Sequence, residues 1–166
     1  MSRDLLASAP VALPLAGAAL SVLLHRRVVA QQVLGCVVLA ALLALDVVLL
    51  ATVRAEGTVV SDVGGWPAPI GITLAVDLFS AIMLVVSALM LLVVFVYSLG
   101  SPAATSSRQF FHPVYLVLAA GVSAAFVTGD LFNLFVAFEM TLISSYVLIT
   151  LGGSRDQVRS SMTYVV

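Results

Sequence analysis

The residues of this chain best suited to chemistry are carboxylates inside long apolar segments. Glu139 has Phe138 and Leu142 among its neighbours, and no arginine lies within one helical turn of it. A charged side chain at the centre of a spanning helix costs about 2.5–3.5 kcal/mol on insertion scales, so it usually faces a bundle interior or water. Burial penalises the charged form of a carboxyl group, which suits a group that takes up and releases protons. We therefore predict that Glu139 handles ions; the alternative is a hydrogen-bonded carboxyl that only joins helices.

Several polar side chains near Glu139 are candidates for holding water beside it. Asn133 lies nearly two turns before Glu139, and Thr141 follows it closely. The residues that we predict as polar support for Glu139 are Asn133, Ser144, Ser145, Tyr146 and Asp77. Small hydroxyl residues also serve as packing positions between membrane helices, so the serines have that interpretation as well.

The remaining carboxylates have stronger structural interpretations. Asp77 falls about two turns inside the third apolar segment, where a helix-linking or loop-anchoring role is at least as well supported as a functional one. Asp46 lies near one end of the second apolar segment, and we expect water to reach it. Asp130 stands at a helix start, where a carboxylate accepts from free backbone N–H groups.

Composition excludes several classes of protein. The chain has seven arginines and no lysine, and arginine does not release its proton, so a proton relay within it must use other groups. The sequence contains no P-loop, dinucleotide fingerprint or metal-ligand cluster, and we expect no cofactor and no metal. His25 and His112 lie at the ends of apolar segments, where structural roles are expected. A net charge of −1 provides no basic field for nucleic acid.

The elements that hold these residues are membrane-spanning helices. Apolar residues make up 62% of the chain and charged residues 9%, whereas soluble domains carry about 25% charged residues. A spanning helix needs about 20 apolar residues. The sequence predicts an all-α, polytopic transmembrane helix bundle with five full spans and the start of a sixth. The spans cover roughly residues 5–24, 28–53, 71–99, 113–128 and 131–151, and the sixth begins near 158.

The sixth segment reaches only residue 166, which is too short to cross a bilayer, so we expect the chain to be a fragment. The rival interpretation of the first span is a signal peptide. It is weakened because Asp4 offsets Arg3 and the pair Arg26–Arg27 follows the apolar run.

Arginines alternate between the connecting loops. The turns after the first, third and fifth spans carry Arg26 and Arg27, then Arg108, then Arg155 and Arg159. Because cytoplasmic loops are enriched in basic residues, we predict a multi-pass protein of the cell (inner) membrane with its N-terminus outside and an extracytoplasmic loop at 54–70.

Two motifs resemble a known family. Residues 128–146, TGDLFNLFVAFEMTLISSY, resemble the fifth transmembrane helix of the antiporter-like proton-pumping subunits. These subunits occur in respiratory complex I and in multisubunit Na⁺/H⁺ (Mrp-type) antiporters. The loop at 64–72, GGWPAPIGI, followed by DLFSA at 77–81, is most similar to the D subunit of the Mrp type.

The resemblance implies more than the residues alone indicate. It implies that Glu139 belongs to a proton path and interacts with a lysine two helices later, which this chain lacks. Residues 1–111 then correspond to three leading helices, and 112–166 to the incomplete start of the first antiporter-like helix repeat. The implied partners are the other subunits of a hetero-oligomeric membrane complex, the lipid bilayer, protons and Na⁺ or another monovalent cation.

Three functions remain open on the sequence. The first is a membrane subunit of a monovalent cation/proton antiporter, which is a transporter subunit and not an enzyme. The second is a proton-pumping membrane subunit of a complex I-like NADH:quinone oxidoreductase. The third is a purely structural membrane scaffold.

Overall fold

Five long helices dominate the computed structural model, which describes residues 3–66, 71–100 and 108–151. The helices are α1 (Arg3–Leu23), α2 (Val28–Glu56), α3 (Leu78–Leu99), α4 (Arg108–Val127) and α5 (Leu131–Thr150). Each is long and apolar enough to cross a membrane. The prediction of an all-α, polytopic bundle with five spans is confirmed. The predicted sixth segment, from about residue 158, lies outside the described residues, as do Arg155 and Arg159.

The connection between α2 and α3 is more regular than the predicted loop at 54–70. It holds a β-hairpin of two antiparallel strands, β1 (Val59–Asp62) and β2 (Thr73–Val76). The Thr73 hydroxyl donates to the Asp62 carboxylate at 2.7 Å, which joins the two strands at the end next to their connecting loop. The predicted third span, from 71 to 99, is therefore too long at its start. A short apolar strand has the same hydropathy as a helix start, so hydropathy alone merges the two.

Two apolar clusters hold the helices together. The hairpin cluster joins α1, α2, α3 and α4 beneath the strands and includes Leu49, Val76, Leu84 and Val127. The Phe95 cluster fills the other half of the bundle and includes Leu39, Leu42, Phe95, Tyr115 and Leu116. Both clusters draw on one stripe of α2, which runs between α1 and α3.

Glycines allow close approach at two helix contacts. A Cβ atom on Gly35 would overlap the Phe95 ring, so α2 and α3 meet tightly there. A Cβ atom on Gly121 would lie 2.7 Å from the Thr141 hydroxyl, which sets the approach of α4 and α5. Small residues at such positions are typical of helix pairs in membranes.

Candidate functional site

The start of α5 is fixed by Asp130. Its carboxylate accepts a hydrogen bond from the Asn133 backbone N–H at 2.7 Å and another from the Asn133 side-chain amide. This confirms capping as the role of Asp130, because it satisfies a backbone N–H group that a helix start leaves free. Glu139 follows eight residues after Leu131, or about 12 Å along the axis, and so lies near the middle of α5.

Glu139 lies on an exposed, apolar face of α5. Its helical neighbours on that face, Phe132, Phe135 and Ile143, are 76%, 60% and 61% exposed, and Glu139 is itself exposed. We call these four residues the Glu139 face. On the opposite side of the helix, Ala137 and Ser144 are buried. Helix α5 thus directs Glu139 away from the described bundle.

The predicted supporting residues occupy different sides of α5. Asn133 lies six residues, or nearly two turns, before Glu139, and its side-chain amide donates to the Asp130 carboxylate. Ser144 lies on the buried side, where its hydroxyl donates to the Met140 carbonyl at 2.7 Å. Ser145 and Tyr146 are half-buried, and Tyr146 shares the side of Glu139 because seven residues are about two helical turns. Of the predicted support on α5, the structure therefore places Tyr146 closest in direction to Glu139.

Asp77 lies at a helix start and not two turns inside a span. Its carboxylate accepts from the Ser80 backbone N–H at 2.7 Å and so caps α3. This hydrogen bond to the charged form lowers the pKa of the Asp77 carboxyl below its usual value. The predicted position was wrong because strand β2 takes up the residues before it, and the structure favours the anchoring role for Asp77.

Asp46 is the residue whose surroundings differ most from expectation. Its side chain is fully buried in the middle of the bundle, and neither carboxylate oxygen has a hydrogen-bond partner among the described residues. The expectation that water reaches it was wrong. The sequence does place Asp46 on the same side of α2 as Leu42 and Leu49, because the three residues follow helical spacing, and this side is the buried one.

Metal binding has no support in the part of the chain that the structure describes. No group of three or more histidine, cysteine, aspartate or glutamate side chains comes together there. The free thiol of Cys36 is half-buried beside the Phe95 cluster.

These features define a polytopic membrane protein whose described spanning helices carry, away from their ends, a buried carboxyl group at Asp46 and an exposed one at Glu139. No family model matches the chain. It is similar to curated proteins that are named as the D subunit of a Na⁺/H⁺ antiporter. The protein from Alkalihalophilus pseudofirmus is 36% identical over 157 residues, and the one from Bacillus subtilis is 38% identical over 157 residues. Each match covers 95% of this chain and 32% of the relative.

The chain is also similar to chains of two solved structures. The chain is similar to a chain of the Mrp complex from Dietzia sp. DQ12-45-1b, with a TM-score of 0.89, 32% identity, and coverage of 98% of this chain and 31% of the other. It is also similar to a chain of the membrane-bound sulfane sulfur reductase, an archaeal respiratory membrane complex. That match has a TM-score of 0.87, 26% identity, and coverage of 99% and 34%.

The chain is homologous to part of the D subunit of Mrp-type antiporters, and the resemblance stated from its sequence is confirmed. It spans about a third of the length of the curated relatives that it matches.

Proposed function

We propose that this chain forms part of a membrane subunit of a multisubunit monovalent cation/proton antiporter, in which Glu139 carries protons. The observation that carries the proposal is a carboxyl group at the middle of a spanning helix, on a face that the described helices leave open. The names of the relatives and the fold shared with the Mrp complex support the antiporter class.

The open face favours a protein or water environment around Glu139 in the whole transporter. A charged group that faces lipid at this depth is unfavourable by about 2.5–3.5 kcal/mol or more. The relatives are about three times as long as this chain. We propose that further helices of the whole subunit cover the Glu139 face and complete the proton path.

The partners and orientation belong to the same proposal. The partners would be the other subunits of a hetero-oligomeric complex, the lipid bilayer, protons and Na⁺ or another monovalent cation. The protein is a multi-pass membrane protein. Arg26 and Arg27 lie in the turn between α1 and α2, whereas the hairpin end carries Arg54 together with Glu56, Asp62 and Asp130. By the positive-inside rule, the N-terminus and the hairpin face outward.

The test is the Glu139→Gln variant of the intact transporter, assayed for cation/proton exchange in everted membrane vesicles. Glutamine keeps the shape of the side chain but cannot release a proton, so exchange is expected to fall to the background level. Glu56→Gln, at the exposed end of α2, is the matched control and should exchange at the wild-type rate. Co-purification of the other subunits checks assembly. Exchange at full rate in an assembled Glu139→Gln complex would show that Glu139 is structural.

A second candidate function is a membrane subunit of a redox-driven respiratory complex. The similarity to a chain of the sulfane sulfur reductase complex favours it. Purification with small hydrophobic subunits would support the antiporter, and purification with flavin or iron–sulfur subunits would support the respiratory complex.

A further inference from the structure

Asp46 occupies a layer between the two apolar clusters. On α2, Leu42 belongs to the Phe95 cluster and Leu49 to the hairpin cluster, and Asp46 lies between them. Both of its carboxylate oxygens are buried, and neither has a partner in the described residues. An unpaired buried charge is far more costly than a neutral polar group, so the surroundings favour the neutral acid.

The packing register identifies what lies at the same level on α1. Gly17 of α1 packs against Val38 of α2, and these consecutive helices run in opposite directions. Asp46 is eight residues beyond Val38, so the facing position on α1 is eight residues before Gly17, next to Pro10. Pro10 is fully buried.

Pro10 has a backbone carbonyl without its usual helical donor. In an α-helix, the carbonyl of one residue accepts from the N–H four residues later, and for Pro10 that residue is Pro14. Proline has no backbone N–H. The layer thus contains two acceptors to which no N–H or O–H donates in the regular helix: the Asp46 carboxyl group and the Pro10 carbonyl. They are complementary only when the carboxyl group is protonated, because its O–H then supplies the missing donor.

Charged groups that could instead hold Asp46 as an anion are distant in the described helices. On α1, Arg3 and Asp4 stand at the helix start, six and five residues before the facing position at residue 9, or about 9 and 8 Å along the axis, and no titratable side chain lies between Leu5 and Leu23. On α3, the only titratable side chain is Tyr97, at the far end. On α4, His112 and Tyr115 pack around Phe95, about three turns of α3 from the level of Asp46, and Arg108 lies beyond them. On α2, Arg54 is eight residues beyond Asp46, or about 12 Å along the axis.

From this placement we infer that Asp46 is a second proton-binding site, separate from Glu139, and that its O–H donates to the Pro10 carbonyl and so joins α2 to α1. The bound ligand is a proton. Loss of that proton places an unpaired negative charge in the apolar layer and weakens the contact between the two helices.

Infrared spectroscopy of the full chain in ester-free detergent tests the protonation state directly. At about pH 7 an ordinary aspartate is ionised. The wild type should nevertheless show a carboxylic-acid C=O stretching band that moves on ¹³C labelling of aspartate and is lost in Asp46→Asn. Asp62→Asn, in the hairpin outside the spanning helices, is the matched control and should keep the band. If the wild type shows no carboxylic-acid band that responds to the aspartate label, the inference is overturned, whether or not the Asp46→Asn variant folds. A band that Asp46→Asn leaves in place overturns it as well.

Pro14→Ala tests the acceptor. Alanine supplies the N–H that the Pro10 carbonyl lacks. This second donor should weaken the hydrogen bond from Asp46, so the Asp46 band should remain but shift to higher frequency. An unshifted band would overturn the assignment of Pro10.

A series of melting temperatures at increasing pH completes the test. The wild type should lose thermal stability at alkaline pH relative to Asp46→Asn, and equal losses in both would contradict a proton held at Asp46.

Discussion

Asp46 and Glu139 are both carboxyl groups near the middle of a membrane-spanning helix, yet their surroundings are opposite. Asp46 is fully buried between α1, α3 and the rest of the bundle, whereas Glu139 lies on the open face of α5. The difference follows from packing. Helix α2 runs between two helices, but α5 packs chiefly against α4. The sequence thus indicates how far along its helix a carboxyl group lies, whereas neighbouring helices determine whether its side of the helix is buried.

The contrast assigns the two groups different kinds of role. A carboxyl group enclosed by apolar residues has no route for rapid exchange with water and suits a held proton. A carboxyl group on an uncovered face is available to whatever completes that face. We propose that Glu139 is the group that takes up and releases protons in the antiporter.

The largest effect is expected from a pair of truncations, one in each region. Leu39→Ala removes a fully buried side chain of the Phe95 cluster and should lower the stability of the chain by about 2 kcal/mol or more, because a cavity remains. Phe135→Ala removes a side chain that is 60% exposed and should cost less than about 1 kcal/mol. Denaturation of each variant in mixed micelles, followed by circular dichroism, measures both.

The same pair can be measured in the intact transporter. If further helices cover the Glu139 face, the loss of stability caused by Phe135→Ala should be larger in the intact transporter. The loss caused by Leu39→Ala should stay about the same. An unchanged, small cost for Phe135→Ala in the intact protein would indicate that this face meets only lipid.

An intermediate effect is expected from separating α5 from α4. Gly121→Val places side-chain atoms where Thr141 already approaches, and overpacking of this kind costs about 1–3 kcal/mol. Because the contact positions α5, exchange by the intact transporter should fall by more than the loss of folded protein explains. Gly100→Ala, at the end of α3 with only a 3.6 Å contact to the Tyr97 carbonyl, is the control and should leave both quantities unchanged. If Gly121→Val exchanges at the full rate, the distance between α4 and α5 has no influence on transport.

The smallest effect is expected at the cap of α3. Asp77→Ala removes an acceptor for the Ser80 N–H and should lower stability by about 0.5–1 kcal/mol, at the low end for a cap because the site is exposed. The folded state lowers the pKa of Asp77, so the carboxylate stabilises the fold above its ordinary pKa of 3.8. This stabilisation is lost as pH falls through the lowered value.

The measurement is a pH series of melting temperatures for the wild type and Asp77→Ala. The difference between them should shrink on acidification below about pH 4. Asp77→Asn keeps an acceptor without the charge, so its stability should depend less on pH than that of the wild type. A difference between wild type and Asp77→Ala that does not change with pH would contradict the hydrogen bond to the charged carboxylate.

Much of this arrangement was predictable because hydropathy reports spanning helices directly. The five spans, the position of Glu139 and the cap at Asp130 all follow from apolar length and local chemistry. The hairpin did not, since the apolar residues 73–76 fit either a strand or a helix start, and Asp77 was placed too deep as a result. Helical periodicity places Asp46 on one stripe of α2 with Leu42 and Leu49, but the burial of that stripe depends on contacts with α1 and α3, which the sequence of α2 alone does not encode. The direction of Glu139 depends in the same way on the position of Gly121 against Thr141.

The most direct test of the proton-carrying role of Glu139 is carbodiimide labelling of the intact transporter in membranes, followed by mass spectrometry of the peptide that contains it. Dicyclohexylcarbodiimide adds to carboxyl groups in an apolar setting, so Glu139 should be labelled, and exchange should be lost in proportion to labelling. Exchange that continues at the full rate after complete labelling of Glu139 would contradict its role in proton transfer.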